Sequence, residues 1–302
     1  MNLLIPLMRR EWLQHRFGWT MLAMVPLALA LLLFTFGQVE LSDVDTLPPD
    51  ALAVLAAMVT IAGSTLIIFL TLWVTSLIIV SGLPRRDHGD RSIEFWLSLP
   101  ISHTQSLGVP LLVHLILVPA AALVVGLLGG YALSLAVVSR VVGFGAWVTL
   151  PWLDLLFGTL MLWLRLLAGL PLATLWLAPL ILLMLLSTAL FRRWGLPILA
   201  VAFGLGSLAC KHLFGQMLLP ELLGRLGENA GRALVAGSGR GFSFSSDEDP
   251  MLALHELPSW VLHDLGAALA GLASPLLAGG LVFAAACFAA LVYWRQRGAG
   301  AV

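Results

Sequence analysis

The chain of 302 residues is 60% hydrophobic and 11% charged, and its sixteen acidic and sixteen basic residues cancel. A mean hydropathy of +1.00 is too high for a soluble domain of this size and fits a chain immersed in lipid. Zero net charge provides no basic field for nucleic acid, so the placement of the charges carries the information rather than their sum.

A helix crosses a bilayer with about 20 apolar residues, because each adds ~1.5 Å against a hydrocarbon core of ~30 Å. Residues 18–37, 53–83, 107–137, 171–191, 196–211 and 266–294 meet or approach that length. The residues before the first span include Arg9, Arg10, Glu11 and Arg16 and show no small-residue cleavage site, which argues against a removable signal. The loop after that span holds Glu40, Asp43, Asp45 and Asp50 and no base. Six crossings put Arg9/Arg10/Arg16, Arg85/Arg86/Arg91, Arg192/Arg193 and Arg295/Arg297 on one side, which is ten of the sixteen basic residues. The positive-inside rule makes that side, and both termini, cytosolic.

Residues 139–170 are apolar enough to suggest a further crossing, but one more span would scatter the arginine groups across both sides. Residues 147–170 are therefore expected as an interfacial or partly re-entrant helix, with Trp152 and Trp163 at headgroup level and Arg165 snorkelling outward. The alternative for Arg165 is an intramembrane charge on a substrate path. Gly126-x3-Gly130 in the third span suits close helix approach, within the chain or between copies. The outer segment, 212–265, reads as two amphipathic helices over 216–235 and 251–265. Between them lies a polar loop with Asp247-Glu248-Asp249.

The segment 84–105, PRRDHGDRSIEFWLSLPISHTQ, is a charged, aromatic insert between two apolar spans. Asp90 or Ser92 can cap a short helix there, Asp87 and Arg91 stand four apart, and Pro100 stops it. Ile93, Trp96 and Leu97 form an apolar face that Phe95 and Leu99 broaden. Two readings stand on these residues alone: a docking helix for a cytosolic partner, or an interfacial helix resting its aromatics in headgroups.

The run Asp90-Arg91-Ser92-Ile93, then Phe95-Trp96 and Ser98-Leu99-Pro100-Ile101-Ser102, resembles the cytosolic loop of ABC-2-type transporter permeases. Arg9-Arg10-Glu11 before the first span is similar to their N-terminal interfacial helix, here 1–17. The resemblance implies an all-α polytopic membrane protein forming a single permease domain over 1–302. It would have six transmembrane helices, an N-terminal interfacial helix, a cytosolic coupling helix within 84–106, and outer-surface helices. It further implies the membrane-spanning subunit of an exporter in a bacterial inner membrane, paired with a second permease copy or paralogue and with cytosolic ABC ATPase subunits. Ile93, Phe95, Trp96, Leu97 and Leu99 would seat in the ATPase, framed by Asp90 and Pro100, while Asp87, Arg91 and Glu94 orient it. Arg9, Arg10 and Glu11 would support a second contact. The exported compound would be hydrophobic or amphipathic: a lipid, peptide or antibiotic-like molecule.

Independently, the one lysine, in Cys210-Lys211-His212, lies in no phosphate-binding glycine loop. ATP and Mg are thus expected on the partner ATPase, with no cofactor, metal or catalytic residue in this chain. His255 and His263, beside Glu256 and Asp264, read as surface histidines. Gly237–Gly241 reads as a linker, and Cys210 and Cys287 as buried thiols rather than a disulfide. Two other functions remain open: a non-transporting membrane partner of an ABC ATPase, and an intramembrane enzyme using Ser259/His263 or Arg165.

Overall fold

The computed structural model describes residues 4–37, 48–89, 102–237 and 250–298, and every element among them is helical. Helix α1 is Leu4–Phe36 and α2 is Pro49–Gly89. Helix α3, His103–Leu112, runs through a π-helical turn at Val113–Leu117 into α4, Val118–Val141. After the short α5, Phe144–Val148, comes the 40-residue α6, Trp152–Phe191. A 3-10 turn at Arg192–Trp194 leads to α7, Gly195–Phe214, followed by α8, Leu218–Leu234, α9, Pro250–Ala270, and α10, Pro275–Gly298. Proline opens α2, α9 and α10, where its missing N–H has no helical partner to lose.

Five stretches are long and apolar enough to cross a membrane: Leu4–Phe36, Pro49–Pro84, His103–Val141, Trp152–Phe214 and Pro275–Gln296. The fourth is a helical hairpin, α6 followed by α7. At its turn Arg192 takes a left-handed φ of 52° and the Ser187 hydroxyl donates to the Gly195 carbonyl at 2.7 Å. A Cβ on Gly195 would lie 2.6 Å from Thr188 Cα, so only glycine lets the second arm start this close to the first. Helix α7 ends on the Gly215 left-handed cap, whose N–H reaches the Lys211 carbonyl at 3.0 Å.

The bundle core is built on α2 and α4. A Cβ on Gly126 would sit 2.7 Å from Thr65 Cα, and one on Gly130 would sit 2.8 Å from Ile61 Cα. The small-residue pair of the third span is therefore spent inside the chain, holding α4 against α2. One end of the bundle is closed by Val80, Leu83, Leu107, Leu185, Ala189 and Leu291. The other is closed by Ala57, Met58, Val138, Leu155, Leu254 and Leu257.

Three boundaries differ from the sequence expectation. The N-terminal segment and the first span form one continuous helix, because nothing between Arg16 and Thr20 breaks helical geometry. Residues 152–170 neither lie apart from nor loop back from the fourth span but are its first half, in one helix with 171–191. At ~1.5 Å per residue α6 is ~60 Å long, twice the hydrocarbon thickness. The final span begins at Pro275 rather than near Gly266, because α9 continues to Ala270 and the chain breaks over Gly271–Ser274. The helices expected over 216–235 and 251–265 are present as α8 and α9, packed on the first half of α6; α8 is strongly amphipathic, whereas α9 is apolar over most of its length.

Candidate functional site

The end of the bundle closed by Leu83, Leu107 and Leu291 is where α2 stops and α3 starts. Ser102 caps α3, its hydroxyl accepting from the Gln105 N–H at 3.3 Å. Arg295 reaches across to donate to the Ser106 hydroxyl at 3.0 Å, tying α10 to α3, and Arg192 and Arg193 sit at the same end. Of the residues expected to dock an ATPase, Asp87 lies in the last turn of α2. Asp90, Arg91, Ile93, Glu94, Phe95, Trp96, Leu97, Leu99 and Pro100 lie outside the described residues.

Helix α1 separates the trio Arg9, Arg10 and Glu11. Arg9 is exposed and Arg10 half-buried, but Glu11 turns inward, only 1% exposed. Its Oε2 meets His114 Nε2, on the π-helical turn, at 3.3 Å. His15, one helical turn beyond Glu11, completes the cluster, its ring edge-on to His114 with centroids 5.3 Å apart. Trp19 lies over both imidazoles, 5.4 Å from His15 and 5.3 Å from His114. A cavity of about 490 Å³ flanks this cluster between α1, α2 and α4, lined by Met8, Trp12, Trp19, Leu72, Val118 and Val125 among others.

A second buried polar centre lies towards the opposite end. Arg165 does not snorkel outward: it is 1% exposed and paired with Asp264, itself wholly buried. Arg165 Nε donates to Asp264 Oδ2 at 2.8 Å, and its terminal nitrogen converges on the same oxygen at 2.8 Å as an ion pair rather than a directed hydrogen bond. Another guanidinium nitrogen donates to the Ala233 carbonyl at 2.9 Å, and the Ala236 N–H donates to Asp264 Oδ2 at 3.0 Å. This network joins α6, α9 and the chain leaving α8. It forms there because α8 comes so close that a Cβ on Gly169 would meet the Ala233 carbonyl at 2.5 Å.

The arrangement does not bring Ser259, His263 and Asp264 together. Ser259 and His263 are exposed, the Ser259 hydroxyl donates to the Glu256 carbonyl at 2.8 Å, and Asp264 turns to Arg165. His255 and Glu256 are likewise exposed on α9. Cys210 and Cys287 are free thiols. Sequence reasoning missed the His114 cluster; the available signals were a histidine isolated in an apolar span and the Glu11-x3-His15 spacing.

No family model, curated protein or solved structure matches this chain. The fold and its buried polar centres define the class directly: an all-α integral membrane protein with five helical stretches able to span a bilayer.

Proposed function

We propose that this chain is the membrane-spanning subunit of an ABC-2-type exporter, energised by a separate cytosolic ATPase that binds ATP and Mg. The observation that carries the reading is the segment 90–102, with its Phe95-Trp96 pair and Leu97-Ser98-Leu99-Pro100-Ile101-Ser102 ending. It joins α2 to α3 at the bundle end that also bears Arg192, Arg193 and Arg295. By the positive-inside rule that end faces the cytosol, where an ATPase is found. Counting the α6–α7 hairpin as two crossings gives six spans with both termini inside, in a bacterial inner membrane.

In this reading Ile93, Phe95, Trp96, Leu97 and Leu99 seat in a groove of the ATPase, and Asp87, Arg91 and Glu94 fix its orientation. Two permeases, identical or paralogous, would flank the path of a hydrophobic or amphipathic compound. The apolar cavity between α1, α2 and α4 supports that substrate class. The test is co-purification of this chain from its native membranes with a P-loop ATPase. Trp96→Ala or Trp96→Asp should release the ATPase and uncouple its hydrolysis while membrane insertion is unchanged. Undiminished co-purification and coupling would refute the docking role.

A further inference from the structure

We infer that Glu11, His15 and His114 form a binding site for a divalent transition-metal ion of the zinc type, clamping α1 to the π-helical turn of the third span. One ligand atom from each residue lies within 4.8 Å of the other two. The Glu11–His114 separation, 3.3 Å, is already that of two ligands on one tetrahedral ion. With metal–nitrogen and metal–oxygen bonds of ~2.0–2.2 Å, tetrahedral ligands stand ~3.3–3.5 Å apart. The His15 donor lies within 4.8 Å of both and needs only a small side-chain movement to join them. Glu11 and His15 present their donors from one face of α1, four residues apart.

The cluster is set deep in the fold. His114 is wholly buried, and its Nε2, which faces Glu11, is the ring nitrogen an ion would take. The backbone beneath it is uncommon. Val113–Leu117 is a π-helical turn, a wider coil that resets the direction of the following side chains and recurs at binding sites. Trp19, 4% exposed, roofs both rings, and partly exposed His15 gives an ion its approach.

Donor chemistry selects the ion. Two imidazoles and one carboxylate suit zinc, nickel or cobalt, whereas magnesium and calcium require about six or more oxygen ligands. Three protein ligands leave one tetrahedral position for water or a donor from a passing molecule. The site stands on α1 and the third span alone and does not depend on the ATPase-docking reading.

The experiment uses the full chain, purified without a histidine tag, stripped with chelator and reconstituted in nanodiscs, with zinc alone as the probe. Calorimetry should find one zinc per chain, no response to magnesium, and a raised unfolding midpoint on zinc addition. Glu11→Gln, His114→Gln and His15→Asn should each weaken zinc by roughly 100-fold or more, beyond the ~10–100-fold of a lost supporting contact. His15→Asn, at a partly exposed position, keeps the test valid if the buried substitutions fail to fold. The His255→Ala/His263→Ala double variant should bind as the parent does. No zinc binding, equal binding in the His15→Asn variant, or loss of binding in the His255→Ala/His263→Ala variant would each overturn the proposal.

Discussion

Replacing Asp264 with alanine leaves the Arg165 guanidinium, 1% exposed, with the Ala233 carbonyl as its remaining hydrogen-bond acceptor among the described residues. It also strips the Ala236 N–H of its acceptor. Breaking a buried ion pair from one side costs ~3–5 kcal/mol, because the surviving charge stays desolvated and uncompensated. At ~2 °C per kcal/mol for a chain of this size, the unfolding midpoint should fall by about 6–10 °C. Arg165→Met with Asp264→Leu removes both charges at similar volume and should recover most of that loss. Tryptophan fluorescence during heating in detergent compares Arg165→Met and Asp264→Leu, each alone, with the double, which isolates the coupling between the sites. If Asp264→Ala shifts the midpoint by less than about 1 °C, or the double variant is as unstable as the two singles summed, the pair is not the buried, mutually dependent unit described.

The surface pairs should behave in the opposite way. Glu221→Gln and Glu228→Gln break i,i+4 bridges to Arg225 and Arg232 whose side chains are more than half exposed. Each should cost less than about 0.5 kcal/mol, with no measurable shift in the same heating assay. Gly130→Leu forces a Cβ to within 2.8 Å of Ile61 Cα, a backbone atom that cannot move aside. It should cost ~1–3 kcal/mol or more and broaden the gel-filtration peak, whereas Gly204→Ala, with nothing within 4 Å, should elute as the parent does.

Span length made the helical architecture legible, because lipid thickness acts on local sequence. The helix over 216–235 was legible because α8 alternates apolar Leu222, Leu226 and Leu234 with charged Glu221, Arg225 and Arg232 at helical spacing. Residues 152–170 misled because the arginine pattern argues against a further crossing, and the chain instead lengthens the helix it already has. Neither buried polar centre could be read locally. Arg165 and Asp264 are 99 residues apart, and Glu11 and His114 are 103 apart. A lone arginine in an apolar run looks the same whether it escapes to headgroups or waits for a partner that only the tertiary fold supplies.

Helix α6 carries Leu155, in the cluster at one end of the bundle, and Ala189, in the cluster at the other. The two ends therefore belong to a single lever ~60 Å long. Pivoted at its middle, it would turn a 5° tilt into a swing of about 2.6 Å at each tip. Pro171 and Pro179, each lacking the amide hydrogen that would brace the preceding turn, mark where such a lever bends first.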